Sequence, residues 1–433
     1  MDKNTKLGVN HRTFIDQLFK GDKGIWVIFA LLVGISILEV FTASGRSIPK
    51  NGDFIQPILR HTQLLTISFI AMMIVINFPF NLFRIVGKFL LGVSICLSVY
   101  IQFFCAAVNG GKRWLSLAGF QIQPSEFSKI GLIIVLSGLV ADGLSNPEKR
   151  KAKCTKSLCL ITIVCISVIL ENLSTAILIG ALGTTLLFVS GAYWKYLLYY
   201  ISSIGAIGII SIIVLLNLPN NLTGPLARAN TWKARFERYF NEKITDKDPS
   251  TVDFFNEDAQ RNHSNVAIAS AGITGCGIGQ STERSFLAEA NNDFIYSIII
   301  EETGILGGIA LIILYGWLLI RGWKIVRLAE NPFHKFMAAG VIIILAYQTI
   351  VNMFVSVGVI PVTGQTLPLV SKGGSSALTV CILLGILLKV SAEIRKKRDA
   401  ERSADTDVSD WTGIEDHEQL MDVTLEKVGD GLD

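Results

Sequence analysis

The chain predicts an all-α, polytopic membrane protein with about ten transmembrane helices. Three observations carry this. Of 433 residues 51% are apolar and only 17% are charged, with mean hydropathy +0.50; a soluble domain carries about a quarter charged residues. The apolar residues gather in runs long enough to cross the ~30 Å hydrocarbon core, for which a helix needs about 20 of them. The runs are continuous and do not alternate with polar residues, as the strands of a membrane barrel would.

The spans fall at about 25–43, 62–80, 86–107, 127–146, 157–170, 174–191, 194–216, 294–320, 337–358 and 374–394. The fifth is the shortest. About 24 mostly polar residues precede the first span, and no small-residue cleavage site follows it, so it is expected to stay in place as an uncleaved helix.

Loop charges orient the spans, because Lys and Arg collect on the cytoplasmic side. Lys3, Lys6, Arg12, Lys20 and Lys23 precede the first span. Lys149, Arg150, Lys151, Lys153 and Lys156 follow the fourth. Arg321, Lys324, Arg327 and Lys335 follow the eighth, and Arg395, Lys396, Lys397 and Arg398 follow the tenth. Ten crossings put all four groups on one side, so both termini are expected in the cytoplasm. The organisation is then a cytoplasmic segment 1–24, a membrane domain 25–395 and a cytoplasmic tail 396–433. From Asp399 onward the tail has 12 acidic residues against two basic ones, a composition expected to stay solvated and disordered.

The extracytoplasmic loop 217–293, between the seventh and eighth spans, is long enough to suggest function. Within it, Ala227–Lys243 places Trp232, Phe236, Tyr239 and Phe240 at helical spacing beside Arg228, Lys233, Arg235 and Arg238. That pattern suits an amphipathic helix in the membrane interface, or a surface helix capping the bundle. Of seven cysteines only Cys276 falls outside the apolar runs and the cytoplasmic loops, so no disulfide framework is expected. The five histidines lack metal-ligand spacing. No Walker-type loop is present, which argues against ATP as a direct fuel.

The polar segments that break the apolar pattern all fall on the outer side. Asn109-Gly110-Gly111-Lys112-Arg113-Trp114 sets two cations behind a flexible turn. Glycine permits close approach of the backbone, and arginine's planar fork suits phosphate. Gln123-Pro124-Ser125-Glu126 opens the fourth span, with Pro124 suited to a helix start and Ser125 to a cap. Glu126 and Lys129 share a helix face and form either a substrate contact or a structural ion pair. Asp293 stands at the mouth of the eighth span, within Glu289-Ala290-Asn291-Asn292-Asp293-Phe294. It is either a helix cap or a general base in partly desolvated surroundings. Glu301 and Glu302 lie deeper, where a charge costs roughly 2.5–3.5 kcal/mol and calls for a partner or a water-filled cavity. The last outer loop runs from Pro361 to Ser376, with prolines and glycines that preclude a regular helix. Irregular backbone at this depth must be buried in protein or line a cavity. Its Thr363, Ser371, Lys372, Ser375 and Ser376 suit an anion-binding cradle at the start of the tenth span.

These motifs resemble the SEDS family of bacterial membrane proteins, which includes the cell-division and cell-elongation glycan polymerases. The resemblance covers about 25–395. It rests on Asn109–Trp114 with Gln123–Glu126, on Asp293-Phe294 with Glu301-Glu302-Thr303-Gly304, and on Pro361-Val362-Thr363-Gly364 through Gly373-Gly374-Ser375-Ser376. Gly21–Trp26 and the long tail look like the division branch. There are departures. Ala288 replaces the usual proline, Asn292 a threonine and Lys372 an aromatic residue, while Asn172-Leu173-Ser174-Thr175 stands for an Asp-Leu-Gly-Thr motif.

The resemblance implies a peptidoglycan glycosyltransferase that polymerises lipid II, the undecaprenyl-pyrophosphate-linked disaccharide-pentapeptide, on the outer face of the cytoplasmic membrane. The family's essential aspartate falls at Asp293, as general base. Lys112, Arg113, Lys129 and Lys372 are candidates to stabilise the pyrophosphate, with Glu126, Thr363, Ser371, Ser375 and Ser376 as further substrate contacts. A divalent cation (Mg2+ or Mn2+) is a candidate assistant, although no metal site is legible. Implied partners are the growing lipid-linked glycan, a class B penicillin-binding protein transpeptidase and other division-complex proteins; nucleic acid is not among them. The alternative from another class is a flippase or transporter of the lipid-linked precursor, which should place its polar residues near the midplane.

Overall fold

The computed structural model describes residues 19–46, 55–104, 114–117, 120–169, 171–217, 233, 259–287, 290 and 292–429. Its helices are α1 (Lys23–Arg46), α2 (Ile55–Asn77), α3 (Phe80–Phe104), α4 (Pro124–Ser145), α5 (Pro147–Ile169), α6 (Leu173–Val189) and α7 (Trp194–Asn217). They continue as α8 (Ala259–Ser270), α9 (Ile295–Leu328), α10 (Pro332–Ser356) and α11 (Gly374–Gly429). Among the described residues, nine helices are long and apolar enough to cross a membrane, and the 17-residue α6 is a shorter apolar tenth. The chain is thus the polytopic helical bundle its composition predicts. A small hairpin, β1 (Leu115–Leu117) with β2 (Phe120–Ile122), precedes α4 and pairs Leu115 with Ile122.

Local chemistry sets the helix starts. Pro124 occupies the first turn of α4, where its missing N–H is no loss. Gln123, not Ser125, is the cap residue there, and it makes no side-chain capping bond. Asn172 caps α6 by accepting from Ser174 N at 3.0 Å, and Asn331 caps α10 by accepting from Phe333 N at 2.9 Å.

Two expectations need correction. The short span is α6 and not the fifth, since α5 begins at Pro147 and takes in the basic residues read as a loop. Pro147 and Glu148 suit a helix N-terminus, and lysine and arginine are good helix formers, so α5 continues beyond its apolar stretch. The tail, expected to be disordered, is helical in backbone through Gly429. No proline follows Pro368, and Arg395–Asp399 and Lys397–Glu401 pair at four-residue spacing, 3.9 Å each.

Polar ties gather the basic ends of the helices on one face. Lys20 Nζ donates to Asn77 Oδ1 at 2.7 Å, and Arg321 lies 3.3 Å from Asp22. Asp142 pairs with Arg84 at 2.9 Å and with Lys153 at 3.2 Å, while Lys397 pairs with Glu330. The core runs through the middle of the bundle, where Leu132, Ile133, Leu136, Ile179, Leu182, Met337, Leu383 and Leu387 are sealed. α11 packs chiefly on α2, α3 on α4, and α9 on α10. The Asp293 turn and the 361–373 segment meet at the opposite end of the bundle.

One helix is broken by the conformation of its own backbone. Within α9, Gly304 has φ 76° and ψ −179°, a region open essentially to glycine alone. The break frees helix carbonyls and amides, and the 272–277 turn takes them up. Cys276 N donates to Glu301 O at 2.9 Å and Gly277 N to Glu302 O at 3.0 Å, while Ile305 N donates to Gly272 O at 3.1 Å. A broken helix at membrane depth is stable only with such replacement partners.

Candidate active site

Asp293 sits just before α9 and is only 7% exposed. Its backbone carbonyl is held from α10, accepting from Asn352 Nδ2 and from Ser356 Oγ, each at 3.1 Å. Phe294 beside it is fully buried and anchors a small apolar cluster with Leu287, Ile298 and Val355. Phe294, and not Asp293, occupies the cap position of α9, and no side-chain capping bond is made there. Asp293 stands one residue ahead of that position.

The irregular 361–373 segment is built into the same end of the bundle by side chains from four directions. Asn172 Nδ2 donates to Thr363 O at 3.3 Å, and Asn352 Nδ2 donates to Gln365 O at 2.8 Å. Tyr315 on α9 donates to Pro368 O at 2.5 Å, and Ser36 on α1 donates to Val370 O at 3.1 Å. Buried irregular backbone needs such partners, because an unmet carbonyl costs about 1–3 kcal/mol. Within this frame Leu369 holds φ 65° while 2% exposed, the strained left-handed conformation for a branched side chain. The segment also ties directly to the Asp293 turn, since Ser371 Oγ donates to Asn292 O at 2.7 Å and accepts from Leu367 N at 2.8 Å.

The candidate substrate residues therefore divide. Ser371 is buried and its hydroxyl is committed to holding the loop. Ser376 Oγ shares a 2.6 Å hydrogen bond with Thr366 Oγ1, and Ser375 is buried in the first turn of α11. Thr363 Oγ1 is sealed and has no hydrogen-bond partner among the described residues. Lys372 is exposed. Desolvation holds its ammonium below the usual lysine value, and the positive charge of Arg60 on α2 acts in the same direction. Glu126 and Lys129 form an ion pair of 2.6 Å on α4, with Lys129 fully buried. Glu126 Oε2 finds no partner among the described residues. Lys112 and Arg113 lie outside the described residues, as do Glu289 and almost all of the expected amphipathic helix. No three His, Cys, Asp or Glu side chains among the described residues come together as a metal cage.

The partners of Glu301 and Glu302 come from the segment ahead of Asp293. Glu301 accepts from Ser281 Oγ at 2.5 Å, Thr282 N at 2.8 Å, Thr282 Oγ1 at 3.0 Å and Glu283 N at 3.3 Å. Glu302 pairs with Arg284 at 2.9 Å, and the same guanidinium reaches Glu39 on α1. The buried carboxylates thus serve the protein's own backbone and one arginine.

Comparison with known proteins shows the family. Residues 22–396 match the family model described as "Cell cycle protein", named for FtsW, RodA and SpoVE. The chain belongs to the FtsW/RodA/SpoVE family. Among its relatives is the probable peptidoglycan glycosyltransferase FtsW of Thioalkalivibrio sulfidiphilus, 29% identical over 86% of this chain and 90% of that protein. Stage V sporulation protein E of Bacillus subtilis is 29% identical over 84% of this chain and 95% of that protein. Among solved structures, a chain of a peptidoglycan synthase complex superposes with a TM-score of 0.66 at 22% identity, covering 86% of this chain and 98% of the other. The rod-shape-determining protein RodA of Thermus thermophilus gives 0.59 at 21% identity, covering 86% and 96%.

Sequence reasoning passed over two residues that build the FtsW/RodA/SpoVE-like frame in this chain. Asn352 is fully buried and joins the Asp293 turn to the 361–373 segment. Its signal was present: Gln348, Asn352 and Ser356 recur every four residues in an otherwise apolar helix, and all three are buried. Gln348 Oε1 and Asn352 Oδ1 remain without partners among the described residues. Arg284 was the other omission. A single arginine in a long polar loop gives no hint that it will be 8% exposed.

Proposed function

We propose that this chain is a peptidoglycan glycosyltransferase of the cell-division type, polymerising lipid II at the outer face of the cytoplasmic membrane with Asp293 as general base. The observation that carries the reading is the buried Asp293 turn, locked by Asn352 and Ser356 and joined through Ser371 to an irregular outer loop. The name of the FtsW relative supplies the reaction class. The positive-inside rule supports the placement of this end outside.

In the transfer, the 4-hydroxyl of the acceptor sugar attacks C1 of the donor. Asp293 takes the hydroxyl proton as the new C–O bond forms. The bond from C1 to the pyrophosphate oxygen breaks, and its electron pair leaves with undecaprenyl pyrophosphate. A single displacement on an α-linked donor inverts the centre to a β-1,4 link, so one carboxylate suffices where glycosidases need a pair. The leaving group carries its own charge, which fixed cations can stabilise. Lys372 is an exposed cation suited to this, with Arg113 and Lys112 joining it on the strength of their motif. Lys129, fully buried against Glu126, is better suited to shaping α4 than to touching phosphate.

The transporter alternative drew on Glu301 and Glu302 at membrane depth. Both are taken up by the 281–284 segment, which supports the enzyme reading. A class B penicillin-binding protein transpeptidase, as cross-linking partner, and the septal membrane, as location, belong to the same proposal. Purified protein supplied with lipid II in detergent or vesicles tests it: glycan strands should form with the wild-type chain and fail with Asp293→Asn. Strands made equally by both would refute the assignment.

A further inference from the structure

We infer that Arg284 is a positioning residue for Asp293, closing the strand that carries it into a buried clamp. The inference rests on the reading of Asp293 as the reacting carboxylate. In sequence Asp293 lies midway between Arg284 and Glu302, and the structure joins those two ends. Arg284 Nη1 is 2.9 Å from Glu302 Oε1 on α9 and donates to Thr42 Oγ1 on α1 at 2.6 Å. Its Nη2 reaches Glu39 on α1. The closure is double, because Glu301 binds Ser281 and Thr282 directly. Ser281 Oγ in turn accepts from Arg284 N at 3.1 Å.

Three features make this a clamp and not a surface pair. Arg284, Glu39 and Glu302 are 8%, 2% and 1% exposed, so the ions are withdrawn from water. Two carboxylates share one guanidinium: Nη2 donates to Glu39, and Nη1 stands at ion-pair distance from Glu302, whose oxygens make no hydrogen bond among the described residues; a lysine's point charge would span the two less well. The far side of the clamp is the broken turn at Gly304, already fixed by the 272–277 turn. Without Arg284, two buried carboxylates face each other uncompensated, and the upstream end of the segment that leads to Asp293 is left to the bonds that Ser281, Thr282 and Glu283 make to Glu301. A shift of about 1 Å in a reacting group costs on the order of 10²-fold in rate. Arg284 itself touches no substrate in this scheme.

The test uses the full chain with four variants. Arg284→Ala removes the clamp, and Arg284→Lys keeps the charge. Glu39→Gln, Arg284→Met and Glu302→Gln combined removes all three charges at similar volume, a change that buried ion clusters often tolerate. Asp293→Asn controls the catalytic reading. Amide hydrogen exchange across residues 285–294 should quicken by about tenfold or more in Arg284→Ala and in the combined variant, while α4 amides keep their wild-type rates. The kcat of both should fall by about 10²-fold with little change in KM for lipid II, and Arg284→Lys, which keeps the charge without the fork, should recover part of the loss. Wild-type exchange across 285–294 in the combined variant would overturn the clamp. So would a normal kcat in that variant beside an inactive Asp293→Asn. An active Asp293→Asn would instead overturn the catalytic reading, leaving the exchange rates to decide the clamp.

Discussion

Asn352 Nδ2 lies 2.8 Å from Gln365 O and 3.1 Å from Asp293 O, so one buried amide on α10 joins the two outer segments of the site. The join is indifferent to side-chain identity at Asp293 and Gln365, because it uses their carbonyls. Replacing Asn352 by leucine should leave those carbonyls short of a donor and cost about 1–3 kcal/mol. Thermal unfolding temperature and glycan synthesis should both decline in Asn352→Leu. Wild-type values for both would show that the join does not hold the site.

Asp293→Asn keeps the size of the side chain and the backbone bonds to Asn352 and Ser356, since those reach the carbonyl. The variant should insert and unfold like the wild type. Polymerisation should drop by about 10²-fold or more, the usual contribution of a general base. Product yield and melting temperature measured on one preparation separate lost chemistry from lost structure.

Lys372 gives a pH signature. Its folded pKa lies below the ordinary 10.5 because the loop partly desolvates the ammonium of this otherwise exposed side chain, with Arg60 adding repulsion. The charge is thus lost at lower pH than in an ordinary lysine. If it holds pyrophosphate, KM for lipid II should rise early on the alkaline side, while Lys372→Arg, which stays charged, should flatten that limb. The stability sign is the opposite of a salt bridge. The folded chain binds this proton less tightly than the unfolded chain, so a penalty exists while the group is charged. It fades as pH rises through the folded pKa toward 10.5. Identical KM profiles for the wild-type chain and the Lys372→Arg variant would remove Lys372 from phosphate binding.

Gly304→Ala should be among the most damaging single changes in α9. An added Cβ would lie 2.1 Å from Ile273 O, and the backbone conformation alone costs about 1–3 kcal/mol in a non-glycine residue. Gly307 in the same helix has helical backbone, and its added Cβ meets chiefly the Thr303 side chain, which can rotate. Thermal unfolding temperature in detergent should fall much further for Gly304→Ala than for Gly307→Ala. Equal melting temperatures would mean that the kink is not required.

Membrane sidedness can be read from a native residue. Cys276 is exposed and belongs to the turn that fills the break in α9. An impermeant maleimide added to intact spheroplasts should label the wild-type chain, and Cys276→Ser should abolish that labelling. Labelling that appears only after lysis would invert the topology and move the site to the cytoplasm.

Much of this architecture was legible because bilayer thickness imposes a strong rule on sequence. The apolar runs located every span, and the polar breaks located the Asp293 turn and the 361–373 loop. What was not legible depends on distance in sequence. Arg284 and Glu39 meet across 245 positions, and nothing in either local pattern announces the other. The start of α5 was missed for a different reason. Hydropathy marks where a helix enters lipid, whereas its hydrogen bonds can begin several turns earlier. The tail shows the same limit, since charge composition reports solvation and not backbone conformation.

The 361–373 segment has a consequence for assembly. Its carbonyls at Thr363, Gln365, Pro368 and Val370 are met by side chains from the α6 cap, α10, α9 and α1. These donors are spread from the first membrane helix to the ninth, so no early portion of the chain can shape the loop alone. The loop can settle only after the first and last thirds of the bundle have closed on each other. Closure of the whole bundle is thereby a condition for the shape of this loop.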